Sequence, residues 1–368
     1  RVYRTVIIIA TLLLLVASSL FILSFNQDAY IYLLIPLIIV CVEIAINATN
    51  YFFSRYVKPK KLVRFDYENG IPKSSKTLLT IAALTTSAQG VSSLYSKLEN
   101  YYLGNNEDNI YFSVLFDCKD SETQIHPDDE GVINEINNQV SMLNEKYQTD
   151  CFLGFYRKRK FSNSQGKYIG WERKRGGLSN LVDYLRNEKN DHFFHVGKDI
   201  KSEKIKYIIT LDSDTHIPID TAKELIAVAD HPLNEFRHHK NKVLGGYGIL
   251  QPRIATCVKS ATASLFSKFF TGISGFDHYR ECTTDIYQDV FGEATFTGKG
   301  LLSVDAFYHV IKPIIPENKI LSHDLLEGSI VRAGLVSDIE FSDGFPSKVA
   351  AYFSRLHRWV RGDWQLIS

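Results

Sequence analysis

The chain opens on apolar sequence and then changes rhythm. From Thr5 to Phe25 no side chain carries a charge, a run long enough to cross the roughly 30 Å hydrocarbon layer as a helix. A polar break, Asn26-Gln27-Asp28, separates it from a second run, Ala29 to Phe53. A signal peptide would be shorter and would not be followed at once by another span. Two membrane helices are therefore predicted. Further on, short apolar runs alternate with segments of helical period: "TLLTIAAL" (77–84), "GVSSLYSKLENYYL", "NIYFSVLFD" (109–117), then 127–148, where Val132, Ile133, Ile136, Val140 and Leu143 keep helical spacing. "CFLGFYR", "LSNLVDYLRN" and "KYIITLD" continue the alternation. Strand, helix, strand, helix predicts an α/β domain with a doubly wound parallel sheet. Ligands of such sheets bind beyond the carboxyl ends of the strands, and Asp117 and Asp212 both fall at such ends.

Charge fixes an expected orientation. Arg1 and Arg4 precede the first span, Arg55, Lys58, Lys60, Lys61 and Arg64 follow the second, and the loop between them has no basic residue. The positive-inside rule puts both ends, and everything after Arg55, in the cytoplasm of a multi-pass inner-membrane protein. The expected organisation is two transmembrane helices in 1–57, a basic connector in 58–76 and a cytoplasmic domain in 77–368. Glu43, with Asn47 four residues on, lies within the second span, either hydrogen-bonded in a helix bundle or part of a polar pathway. The balance of 42 basic against 41 acidic side chains gives no nucleic-acid reading. Five scattered cysteines without a CxxC pair fit thiols in a reducing compartment better than disulfides or a zinc site. The chain starts at Arg1 without an initiator Met, and it is expected to be a segment of a longer protein.

The chemistry concentrates in a few phrases. "LDSDTHIPID" (211–220) places Asp212 and Asp214 on one side of an extended chain where an apolar strand ends. That negative charge needs a divalent cation, a basic neighbour or a turn amide to offset it. "WERKRGGLSNL" (171–181) puts Lys174 and Arg175 before Gly176-Gly177, a predicted small-residue turn where backbone approaches a phosphate. "FTGKG" (296–300) is a second Gly-Lys turn, carrying Lys299. "SHDLLEG" (322–328) starts a predicted helix, with Ser322 as cap and Asp324 in its first turn. "RLHRWVRGDWQ" (355–365) interleaves Arg and Trp. The stretch "ATASLFSKFFTGISGF" (261–276) reads either as a helix at a membrane surface or as a buried core helix.

In that order the phrases resemble a processive GT-A glycosyltransferase, a nucleotide-diphospho-sugar transferase. The resemblance is strongest to the glycosyltransferase domain of cyclic β-1,2-glucan synthases, through "RFDYENGIP", "WERKRGGL", "LDSDTHIP", "HPLN", "GYGILQPR", "YQDVFGEATFTGKG", "SHDLLEG" and "HRWVRGDWQ". Cellulose and hyaluronan synthases share the looser frame. Against their Gln-x-x-Arg-Trp this chain has Arg355, and against their Glu-Asp it has His323-Asp324. Both departures point away from cellulose.

The resemblance implies UDP-glucose as donor, a β-1,2-glucan acceptor and inversion without a covalent nucleophile. It implies Mg²⁺ or Mn²⁺ at Asp212 and Asp214, and Asp324 as catalytic base. Donor contacts would come from Asp117, Lys174, Arg175, Asp212, Lys299, Arg358 and Arg361, and acceptor contacts from Trp359, Gln288, Asp289 and Glu293. Membrane lipid, further membrane helices and a phosphorylase-like domain of the same protein are the other implied partners. Two other readings compete. The phosphatase pattern Asp-x-Asp-x-Thr/Val fails because His216 stands where Thr or Val belongs. A non-catalytic glucan-binding membrane domain would not need Asp212, Asp214 and Asp324 together.

Overall fold

The computed structural model describes residues 1–25, 27–58, 60–85, 87–188, 191–271, 285–315 and 323–367, without the side chains of 25, 27–31 and 367. The chain divides into two compact units, Arg1–Lys60 with Thr284–Gly292, and Lys61–Thr283 with Glu293–Ser368.

The first unit is built on α1 (Val2–Phe25) and α2 (Gln27–Tyr56), both long and apolar enough to span a membrane. They pack through a narrow polar and aromatic seam. Tyr3 donates its hydroxyl to Asn50 Oδ1 (2.5 Å) and lays its ring edge-on against Phe53, while Ser18 Oγ meets Cys41 Sγ at 3.6 Å. Outside the seam, large side chains such as Leu13, Phe21 and Ile39 are exposed. The short helix Ile286–Phe291 belongs to this unit. Its Asp289 accepts the Lys60 N–H (2.7 Å), and its Gln288 donates to the Lys60 carbonyl (3.2 Å).

The second unit is a mixed α/β body on one large sheet. Its strands in chain order are β1 (Thr77–Leu84), β2 (Ile110–Asp117), β3 (Phe152–Arg157), β4 (Lys160–Ser162), β5 (Lys167–Ile169), β6 (Phe193–Val196), β7 (Tyr207–Asp212), β8 (Arg237–His239), β9 (Lys242–Gly245), β10 (Ile249–Thr256), β11 (Gly300–Ser303) and β12 (Ala333–Asp343). Eight of them form the sheet β12-β10-β11-β7-β1-β2-β3-β6; β4–β5 and β8–β9 are separate hairpins. The helices α3 (Ala88–Asn105), α4 (Asp129–Tyr147), α5 (Arg173–Leu185) and α6 (Thr221–Asp230) connect and cover it.

The predicted doubly wound parallel sheet is in fact mixed. β7, β1, β2 and β3 run parallel, as do β10 and β12, but β11 runs antiparallel between β7 and β10, and β6 antiparallel beside β3. The short "GLLS" and "FFHV" segments carry no directional signal of their own. Pairing with an already parallel core decides their sense.

Both faces are covered, so successive side chains of a strand enter different cores. Leu79, Ile81, Phe112, Val114, Ile209 and Leu211 pack on one side with Tyr95, Ile136 and Ile226 from α3, α4 and α6. Leu78, Leu115, Ile208 and Leu302 pack on the other with Leu181 of α5 and Phe307. Such two-sided burial explains why the strands read as continuous apolar runs. The close approach of α3 and α4 to β3 depends on Gly154, where an added Cβ would lie 2.4 Å from Ile136 Cγ2 and 2.7 Å from the Tyr95 hydroxyl oxygen. Gly154→Val should therefore lose about 1–3 kcal/mol by overpacking. Thermal unfolding of the solubilised protein measures it, and an unchanged midpoint would mean that the α3–α4 layer yields without strain.

Candidate functional site

The site forms where the sheet changes direction of growth. From β1 the chain builds outward through β2 and β3 on one side, while β7 pairs on the other, so the carboxyl ends of β1 and β7 open a crevice. Register sets the two strand-end carboxylates across it. Asp117 pairs with Leu84 and Asp212 with Ala82, so one strand separates them and Asp117 stands two residues further along, about 12 Å away at ordinary strand spacing and rise.

Asp212 is the centre. Lys174 Nζ donates to its Oδ1 at 2.5 Å, and Lys299 Nζ stands 3.3 Å from its Oδ2. Burial alone would raise the Asp212 pKa, but the two ammonium groups outweigh it and hold the carboxyl at about 2. Lys174 also donates to the Gly298 carbonyl at 2.6 Å, and Lys299 to Asp343 Oδ2 at 2.5 Å. Asp343, the last residue of β12, is fully buried and takes a further bond from Thr215 Oγ1 at 2.7 Å. The turn after Asp212 is pinned by Lys97 Nζ on the Ser213 carbonyl (2.7 Å), by the Tyr101 hydroxyl on the Thr215 carbonyl, and by paired backbone bonds between His216 and Ser342. Asp214 is exposed at its rim, with Gly344 close beneath it.

Asp324 begins the helix Asp324–Val331 and faces the same turn. Gly298 has φ +87°, and a Cβ there would come within 2.7 Å of Asp324 Oδ2. Only glycine lets the turn and the carboxylate approach so closely. Burial pushes the Asp324 carboxyl above its ordinary value; Lys174 and Lys299 oppose the rise and Asp212 adds to it. Asp117 lies between Arg157 (3.3 Å) and Arg173 (3.4 Å), which counter the upward push of burial.

The remaining expected site residues have their own settings. Gly176 and Gly177 are not a turn: they sit in the first turns of α5, where Cβ atoms would strike the Trp171 carbonyl and Leu115. Their small size serves packing of α5 on the sheet. Arg175 is buried, with its guanidinium on Glu172 and Glu327. Arg358, Trp359 and Arg361 belong to the helix Val349–Trp364. There Arg355 covers the Trp359 ring at 4.7 Å, and Arg361 lines a shallow concavity of about 530 Å³ with His357, Val360, Trp364 and Gln365. Gln288 and Asp289 belong to the first unit, and Glu293 pairs with Arg332 at 3.1 Å. Ser322 lies outside the described residues, as does 272–276 of the apolar stretch. Its described helix, Leu265–Phe270, exposes Leu265 and Phe269 while Phe266 and Phe270 pack on Tyr352.

The sequence reading missed Asp343, Lys97 and Tyr101. "FSDGFP" ends a strand on Asp-Gly, the same kind of signal that marked Asp212, and could have pointed to Asp343. Among the described residues no group of three His, Cys, Asp or Glu side chains converges on one point. The hard oxygens of Asp214 still suit Mg²⁺ or Mn²⁺, which commonly take one or two carboxylates and complete their shells with phosphate and water. Both Asp212 oxygens already face ammonium groups.

No family model matches the chain. It is 38% identical over 331 residues to the cyclic beta-(1,2)-glucan synthase NdvB of Rhizobium meliloti (strain 1021). The match covers 88% of this chain and 12% of that protein, so the chain spans about an eighth of its relative's length.

The Lys174–Asp212–Lys299 contacts have a definite pH signature. A depressed carboxyl pKa stabilises the fold above the unfolded value of about 4, and that contribution is lost as pH falls through the folded value. Asp212→Asn should therefore unfold at lower temperature than the parent above about pH 4, with the gap closing toward pH 2. A gap that persists undiminished at pH 2 would show that charge is not what Asp212 contributes.

Proposed function

We propose that this chain, related in sequence to a segment of a cyclic β-(1,2)-glucan synthase, is a membrane-bound inverting glucosyltransferase that elongates a β-1,2-glucan from UDP-glucose. Relationship to a glucan synthase supports a glycosyltransferase. The observation that carries the finer reading is the convergence of Asp212, Lys174, Lys299 and Asp324 at the sheet's carboxyl edge. A GT-A arrangement is the fold we assign to the second unit on the same ground.

Each group then has a task. Asp117, with Arg157 and Arg173 around it, receives the nucleoside, and Lys174 and Lys299 face the diphosphate. Asp214, with Asp212 nearby, would hold a divalent cation. When bound, the cation supplies Lewis-acid neutralisation of the charge on the departing diphosphate. In the transfer the bond between glucose C1 and the diphosphate oxygen breaks, and the electron pair leaves with UDP. The acceptor 2-hydroxyl oxygen bonds to C1 from the opposite face while its proton passes to Asp324. A positioned base of this kind contributes about 10²- to 10⁴-fold. Burial raises the proton affinity of Asp324 while Lys174 and Lys299 oppose the rise, which suits a group that takes up a proton. Trp359 offers an apolar face to the acceptor sugar, and Arg358 and Arg361 serve the diphosphate side. The two apolar helices anchor the domain at the cytoplasmic face of the inner membrane, where nucleotide sugars are made. Further membrane helices and a phosphorylase-like domain would lie in the remainder of the longer protein.

Asp324→Asn removes proton acceptance with little change of shape. It should keep UDP-glucose affinity near the parent value and lower polymer synthesis by about 10²-fold or more. Titration calorimetry and incorporation of labelled glucose measure the two, and parental synthesis by this variant would move the base elsewhere. Asp214→Asn should abolish the stimulation of transfer by Mg²⁺ or Mn²⁺ while leaving the unfolding temperature close to the parent's, because the side chain is exposed. Full activity of that variant in chelator-treated membranes would reduce the Asp-Ser-Asp turn to a structural cap.

A further inference from the structure

Arg175, expected from the sequence to meet the donor, is engaged instead by two carboxylates. Its side chain is buried at 9% exposure, with Nη1 2.5 Å from Glu172 Oε2 and Nε 3.0 Å from Glu327 Oε1. The two carboxylates sit in different segments. Glu172 precedes the first turn of α5, and Glu327 lies one turn beyond Asp324 on the helix Asp324–Val331. Both carboxylate side chains are only 4% exposed, so water does not compete for them.

The neighbours on each side are what give the contact meaning. Lys174, adjacent to Arg175, reaches forward to Asp212 and the Gly298 carbonyl. Asp324, one turn from Glu327, lies against Gly298. The lysine that counters the strand-end carboxylate and the carboxylate opposite it are thus mounted on two helices, and Arg175 bonds one helix to the other directly behind them. A planar guanidinium with donors in a fixed fork suits this task, because it can hold two carboxylates at a set angle. A lysine presents a single ammonium point.

We propose that Arg175, with Glu327 and Glu172, is a positioning clamp that holds Lys174 and Asp324 in register across the transfer site. The proposal rests on the glucosyltransferase reading for what is positioned, but the clamp itself does not. Burial, and then the nearby Asp324, push the Glu327 carboxyl up to about 8.

The test compares Arg175→Lys, Glu327→Ala and the double variant with the parent, each as the full membrane-inserted chain. Two readouts are taken, glucose transfer from UDP-glucose and hydrogen exchange of backbone amides. The clamp predicts that Arg175→Lys lowers kcat by roughly tenfold to a hundredfold with KM for UDP-glucose held, as loss of alignment does. It also predicts faster exchange in the helix Asp324–Val331 and the first turns of α5, with the rest of the sheet unchanged. The double variant should be little worse than either single one, because both remove the same link. A raised KM with kcat kept would make Arg175 a donor ligand and overturn the proposal, and so would unchanged exchange in Asp324–Val331. If the parent transfers no glucose while Arg175→Lys still loosens those segments, the glucosyltransferase reading fails and the clamp stands.

Discussion

One carboxylate between two ammonium groups organises the second unit. Asp212 ends the central strand β7, Lys174 comes from α5, and Lys299 from the turn leading into β11. Three stretches remote in sequence are drawn to one point at the strand ends. Lys299 passes the link on to Asp343, and Thr215 closes the loop back to the Asp212 turn. Asp212, Lys174, Lys299 and Asp343 each have a counter-charge within bonding distance, which offsets the cost of drawing charge partly out of water. The site is also poised. On the proposed reading, a donor carrying a diphosphate would bring negative charge to lysines already present, with the exposed Asp214 on the turn that follows Asp212.

The sheet makes that point accessible. With helices on both faces, its edges of strand ends are the natural place for polar groups. Insertion of β11 antiparallel beside β7 brings its preceding turn, and with it Lys299 and Gly298, to the carboxyl end of β7. A parallel strand at that position would have delivered its preceding loop to the opposite edge. The antiparallel strand therefore belongs to the construction of the site.

Much of this was legible in the residues. β1 was read at its observed bounds, β2 and β7 ended on the aspartates expected of them, and α4 buries Val132, Ile136, Val140 and Leu143 at the predicted spacing. These are elements whose apolar period is long enough to speak for itself. The direction of β11 and β6 was not legible, since four-residue strands take their sense from neighbours. Gly176-Gly177 misled because glycine marks both turns and close helix packing, and only the nearby Trp171 and Leu115 decide between them. Arg175 misled because a basic residue beside Lys174 reads like a second phosphate ligand until Glu327, 152 positions away, is seen to hold it. Lys97 was silent for the same reason, as its partner is far along the chain.

The crevice at β1 and β7 is the proposed glucosyl-transfer site on which every assigned role depends. The most direct measurement supplies membranes containing this chain with UDP-glucose labelled in the sugar and determines the linkage of any polymer formed. The account predicts labelled β-1,2-linked glucan with one UDP released per glucose added. Release of UDP without polymer, a product of another linkage, or nucleotide binding with no transfer would contradict it.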